Sequence, residues 1–172
     1  GRGPAPASIR VVLQKSEAAA PNFLESKAGI GVAGVDRTAR AMGIPVQTYL
    51  GGAVREKLLF NAWIGILPPD KAAAETAQWQ KRGFRSAKIK VGGSIEADRD
   101  RVKAVREAVG PRFALRIDAN AGYDADTSIR LTHMMSSFDL QLFEQPVPAD
   151  AIAGMAGVRR DSGGLPFRAD ST

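Results

Sequence analysis

The sequence has 172 residues, 44% of them hydrophobic and 24% charged, enough for a packed core of ordinary composition. Its formal charge of +6 leaves nucleic acid open as a partner, but the basic residues are scattered and never interleave with aromatics, so that is the weakest reading. Cysteine is absent, which excludes disulfides, thiolate catalysis and cysteine zinc sites, and no apolar run reaches the ~20 residues of a membrane span.

No signal-peptide pattern opens the chain, and a soluble, cytoplasmic protein with no membrane partner is expected. Residues 1–26, rich in Gly, Ala, Pro and Ser, read as a poorly defined segment with one apolar patch, Ile9 to Leu13. Lys27 to Met42 has helical character despite Gly29, Gly31 and Gly34, each costing about 1 kcal/mol against alanine. Gly43-Ile44-Pro45 ends that helix, and Tyr49-Leu50-Gly51-Gly52 makes a turn. From Leu58 a regular alternation begins. Leu58 to Ile66 predicts a buried strand, with Trp63 as a core residue, followed by a helix from Asp70, its N-cap, to Arg82. Phe84 to Val91 predicts a second strand. Ser94 caps a helix whose Val102, Val105 and Val109 keep helical spacing before Gly110. Phe113 to Ile117, ending in Asp118, predicts a third strand, and Asp124 opens a helix to about Ser137. Leu140 to Phe143, ending in Glu144, is a fourth strand, and Asp150 caps a helix to about Arg160. Leu165 to Ala169, ending in Asp170, is a fifth. Five strands alternating with helices describe a parallel sheet covered by helices. A doubly wound sheet fits the alternation, but the Gly-rich phosphate loop it often carries is missing.

The ionisable residues at the strand ends favour a barrel. Lys88 and Lys90, two apart on a strand, share one face. Lys90 is followed at intervals of 28, 26 and 26 residues by Asp118, Glu144 and Asp170, each at the C-terminal tip of its strand. In a parallel barrel such tips converge on one mouth, where active sites of that fold are built. Converging carboxylates repel and raise each other's pKa values unless a cation offsets them, and a hard divalent ion with oxygen ligands does so. One such tip is ordinary helix capping; three in step, beside two lysines, point to a site. His133, on a helix away from the tips, reads as a surface residue, and Trp79 as packing.

Lys88-Ile-Lys90, Asp118-Ala-Asn120, Glu144-Gln-Pro146 and Ala169-Asp170-Ser171 resemble the enolase superfamily, in its muconate-lactonizing-enzyme subgroup (the mandelate racemase/muconate lactonizing enzyme family). Lys27 to Ile30, Gly43 to Val46 and Tyr49 to Gly52 resemble the segment leading from that family's capping domain into its barrel. The resemblance implies an α/β fold: a partial TIM-type (β/α) barrel of about five strands over residues 58–172, preceded by a helical remnant of the capping domain at 27–57. It implies Asp118, Glu144 and Asp170 as ligands of Mg²⁺, with Mn²⁺ as the alternative ion, and Asn120 as a supporting group. Lys90 becomes a general base that removes the proton α to a carboxylate. Lys88 sits beside the substrate carboxylate and helps to keep that base neutral, since a second ammonium disfavours a lysine's charged form. The partner is then a small-molecule carboxylate, and the reaction a racemisation, epimerisation or cycloisomerisation, with acid-sugar dehydration as the alternative.

Departures from the family pattern bear on activity. Five strands do not close a barrel, and a sixth strand with a second catalytic lysine would lie beyond Thr172, as capping loops would lie before Gly1. A truncated, catalytically incompetent fragment is therefore a competing expectation. Ser171 stands where the family usually shows glutamate, and Gly31 where aspartate is common. An unclosed barrel exposes strand edges, so a homo-oligomer is expected to cover them.

Overall fold

The computed structural model describes residues 7–21 and 23–170. Two compact units divide between Leu58 and Leu59. In the first, α1 (Ala7–Ala19) occupies the segment read from sequence as poorly defined, followed by α2 (Leu24–Ala41) and a short α3 (Val46–Tyr49). The end of α2 follows from Gly43, whose φ of 70° lets the chain reverse. Its N–H donates to the Arg40 carbonyl and that of Ile44 to the Ala39 carbonyl, the paired bonds of a Schellman motif.

The second unit holds β1 (Ala62–Ile64), α4 (Pro69–Lys81), β2 (Ser86–Lys90), α5 (Ile95–Val109), β3 (Ala114–Asp118), α6 (Ala125–Met134), a 3₁₀ turn (Ser136–Phe138), β4 (Leu140–Glu144), α7 (Ile152–Asp161) and β5 (Phe167–Arg168). All four strand pairings are parallel, in the order β1-β2-β3-β4-β5. This is the βα alternation expected of one arc of a barrel. Alternate positions on the strands divide the two faces of the sheet. Ala62, Ile64, Ala87, Ile89, Leu115, Ile117 and Phe143 are buried, and they join Ala72 of α4, Val102, Val105 and Val109 of α5 and Leu131 of α6 in one core. Burial of each large aliphatic side chain there contributes roughly 1.5–3 kcal/mol. The opposite face carries Trp63, Lys88, Arg116 and Leu142 in one register row, and Lys90, Asp118, Glu144 and Arg168 in the next.

Several boundaries differ from the sequence reading. The first strand is short: Leu58, Leu59 and Phe60 are exposed, and only Ala62–Ile64 find partners on β2. Trp63 is 58% exposed rather than core, because it points to the face that bears the lysines. Pro69 takes the first turn of α4, where its missing N–H costs nothing, so Asp70 lies inside the helix and does not cap it. Ser94 stands at the N-cap of α5, but its hydroxyl donates to Glu96 rather than capping, and α7 starts after Ala151 rather than Asp150. Asp124 does cap α6, accepting from the Thr127 N–H at 2.7 Å. His133 is exposed, and Trp79 packs edge-on against Phe84. Among the described residues no helix is long and apolar enough to cross a membrane.

Candidate active site

The polar row is assembled by the sheet register. Lys90 pairs with Asp118 and Asp118 with Glu144, so three consecutive tips present their side chains side by side. Asp118 is 1% exposed and Glu144 5%, and charges buried to that degree need partners. Lys90 Nζ donates to Asp118 Oδ2 at 2.6 Å and to Asn120 Oδ1 at 2.5 Å. Lys88 Nζ lies 3.0 Å from the same Asp118 oxygen and 3.4 Å from both Glu144 oxygens. The remaining Asp118 oxygen accepts the Asn120 N–H at 3.0 Å.

These contacts set the charge states. Burial works against the Asp118 carboxylate, but hydrogen bonds from Lys90, Lys88 and the Asn120 N–H outweigh it and hold its pKa below the usual carboxylate value. Burial also opposes the Lys88 ammonium. The hydrogen bond and charge of Asp118, with those of Glu144, prevail, and the Lys88 pKa is raised.

Strained backbone surrounds the tips. Asn120, Ala121 and Gln145 have φ of 46°, 64° and 40°, all immediately beyond Asp118 or Glu144. Cross-bonds hold them: the N–H of Ala119 donates to the Glu144 carbonyl, that of Ala121 to Gln145 and that of Tyr123 to Pro146. Gln145 follows the fourth strand tip. It is 2% exposed, and its side chain donates to the Val147 carbonyl at 2.7 Å and accepts the Asp170 N–H at 2.5 Å. The amide thus ties the fourth tip to the fifth.

The structure brings Lys88, Lys90, Asp118, Asn120 and Glu144 into one bonded cluster. Asp170 follows β5, two residues beyond Arg168, the register partner of Glu144. Among the described residues no three carboxylate or imidazole groups are gathered closely enough to hold a metal ion. Lys88 and Lys90 are the cations paired with Asp118 and Glu144 here. Three carboxylates on adjacent tips are nonetheless hard oxygen donors, and their chemistry fits a hard divalent cation. Ser171 and its departure from the family pattern lie outside the described residues.

Sequence reasoning missed Arg116 and Arg168, which share the polar face, and the buried Asp98 and Arg101. A signal for the pair on α5 was present. Asp98 and Arg101 fall on the same helical stripe as Val102, Val105 and Val109, where charge is out of place.

Parallel strands followed by helices, with ionisable groups at the C-terminal tips, have the form of one arc of a (β/α) barrel. Residues 71–170 match the family described as enolase C-terminal domain-like. The D-Ala-D/L-Ala epimerase of Cytophaga hutchinsonii is 33% identical over 146 residues, 85% of this chain and 39% of the relative. Other curated relatives are named as an N-succinyl-L-Arg/Lys racemase and a D-galactarolactone cycloisomerase. A crystal structure of the dipeptide epimerase from Cytophaga hutchinsonii, complexed with Mg and D-Ala-L-Val, superposes with a TM-score of 0.72 at 33% identity, covering 82% of this chain and 38% of that one. A mandelate racemase/muconate lactonizing family protein from Azoarcus sp. EbN1 superposes with a TM-score of 0.86 at 30% identity, over 98% of this chain and 44% of its own. The chain belongs to the enolase superfamily, in its mandelate racemase/muconate lactonizing enzyme subgroup. It spans about two fifths of the length of the curated relatives it matches.

Proposed function

We propose that this chain carries the proton-abstracting part of an isomerase site, acting on a small carboxylate whose α-proton Lys90 removes. The observation that carries the reading is the shared contact: Lys90 and Lys88 both reach Asp118, a buried carboxylate at the tip of the neighbouring strand. Asp118, Glu144 and Asp170 would hold Mg²⁺, with Mn²⁺ as the alternative, and the ion when bound would offset the second negative charge that develops on the substrate. In its neutral amine form Lys90 Nζ takes the α-proton and becomes an ammonium, and Asn120, bonded to the same nitrogen, fixes its direction. The Lys88 ammonium faces the substrate carboxylate and favours its binding. Return of the proton by Lys90 restores the starting configuration, and protonation of the opposite face of the planar carbon by a second acid gives epimerisation or racemisation.

The test is deuterium incorporation from solvent at the α-carbon, measured by NMR on a panel of dipeptides, N-acyl amino acids and acid sugars with and without Mg²⁺. Exchange that requires Mg²⁺ and falls at least about a thousandfold in Lys90→Met supports the assignment. A folded, Mg²⁺-loaded protein that exchanges none of them overturns it. Water loss from an acid sugar would mark the dehydratase outcome instead of an isomerase.

A further inference from the structure

Lys90 lies just past the end of a ladder. β1 pairs Ala62 to Ile64 with Ala87 to Ile89 and stops, so Lys88 has a strand neighbour on both sides and Lys90 only on the β3 side. A residue whose side chain must be aimed thus sits where the sheet holds its backbone from one side only. The gap is bridged from α5. Arg101, 6% exposed, donates from Nε to the Leu67 carbonyl in the chain leaving β1 (2.6 Å) and from a terminal nitrogen to the Lys90 carbonyl (3.2 Å). Its guanidinium also pairs with Asp98 Oδ1.

Asp98 is itself 1% exposed, and its other oxygen collects three donors: the N–H groups of Gly92 (3.1 Å) and Gly93 (2.9 Å) and the Tyr123 hydroxyl (2.5 Å). The Tyr123 oxygen accepts the Gly92 N–H at 2.8 Å. Burying an ion pair carries a desolvation cost that a well-packed apolar pair would avoid, so packing alone does not call for charge here. What the charges add is direction. The guanidinium fork fixes the carbonyl of Lys90, and the carboxylate fixes the two residues that follow it within three positions.

We propose that Asp98, Arg101 and Tyr123 are positioning residues that replace the missing β1 ladder and aim the Lys90 ammonium at Asp118 and Asn120. Their contribution to turnover rests on Lys90 being the base. Their hydrogen bonds run to one another and to the backbone of Leu67, Lys90, Gly92 and Gly93, so they act on Lys90 through its backbone.

The experiment compares wild type with Tyr123→Phe, which removes one hydroxyl, and Arg101→Lys, which keeps the charge but cannot hold both carbonyls. Two readouts are taken on folded protein. The first is ¹⁵N NMR of the lysine ammonium groups, assigned with Lys88→Met and Lys90→Met. The expected result is selective: the hydrogen-bonded, slowly exchanging Lys90 signal is lost or broadened in both variants, and that of Lys88 persists. The second is kinetics: kcat for α-proton exchange falls about ten- to hundredfold while KM stays within about twofold, as a misaimed base requires. Retention of both lysine signals, or equal loss of both, makes the network a general structural brace and overturns the proposal. Unchanged kcat in active protein overturns it as well. The ammonium readout needs no turnover, so an inactive wild type refutes the assigned reaction while the selective loss at Lys90 still decides the positioning.

Discussion

At the scale of single residues, burial and pairing decide the ionisation of groups whose chemistry looks ordinary in sequence. Tyr123 is pushed far above the ~10 of a free tyrosine, first by burial and then by its hydrogen bond to Asp98 and that carboxylate's charge. A raised folded pKa has a definite sign. Its contribution to stability is full below ~10 and is lost as pH rises through the folded value. The chain has two tyrosines, so an absorbance titration near 295 nm separates them. Tyr123→Phe should leave the absorbance rise below alkaline unfolding unchanged, whereas Asp98→Asn should bring a second tyrosine into it; a smaller rise in Tyr123→Phe would contradict the buried hydrogen bond. Arg106 shows the same logic applied to backbone. Burial lowers its pKa, yet its guanidinium donates to the carbonyls of Gly110 (2.8 Å), Phe113 (2.6 Å), Phe138 (3.0 Å) and Asp139 (3.2 Å). It joins the end of α5 to the entrances of β3 and β4. Arg106→Met should cost about 2–4 kcal/mol in urea unfolding, the expected penalty for stranding several acceptors; a loss below ~1 kcal/mol would show that water replaces it.

At the scale of elements, the strand exits of β2 and β3 approach so closely that only glycine fits. A Cβ on Gly122 would lie 2.8 Å from Gly92 Cα and 2.9 Å from two carbonyl oxygens, all of them backbone. Gly122→Ala should therefore destabilise by about 1–3 kcal/mol, the range for overpacking. Gly29 is the control. It lies exposed inside α2 with nothing within 4 Å of a Cβ, and Gly29→Ala should stabilise by about 0.5–1 kcal/mol. Urea midpoints check both signs. The same distinction explains which elements could be read from the sequence. Strands β2 and β3 combine buried alternation with an ionisable last residue, β4 ends likewise in an ionisable residue after the buried Phe143, and these signals are local. The start of β1 was overextended because Leu58-Leu59-Phe60 looks like buried strand, yet its exposure follows from which residues find a ladder partner, a fact of pairing and not of composition. The candidate site divides in the same way. Its side chains on strand tips were legible, while Arg101 and Asp98 were hidden because helical periodicity records only that they face inward. That a guanidinium should hold the Lys90 carbonyl depends on where β1 ends.

At the scale of the whole molecule, the polar row across the tips reads cation, anion, anion, cation, and that order governs how metal and stability are linked. Without metal, Lys88 and Lys90 neutralise Asp118 and Glu144. A divalent cation that took those carboxylates as ligands would have to displace the lysines, which would therefore compete with it. Any ligand bound only by the folded state stabilises it, by about 2.7 kcal/mol at a hundred times its Kd. For a chain of this size that corresponds to a rise in Tm of roughly 5–10 °C. The expected series, followed by circular dichroism, begins with a rise of that order for wild type in Mg²⁺. Asp118→Asn and Glu144→Gln should abolish it. Lys90→Met should do two opposite things: lower the Tm of the metal-free protein by removing the 2.6 Å ion pair, and enlarge the Mg²⁺-dependent rise by removing a competitor. NaCl at matched ionic strength is the control, since screening alone weakens the ion pairs without filling their place. If NaCl reproduces the effect, or if Lys90→Met shrinks the rise in Mg²⁺, the carboxylates are bound to their lysines and do not serve a metal.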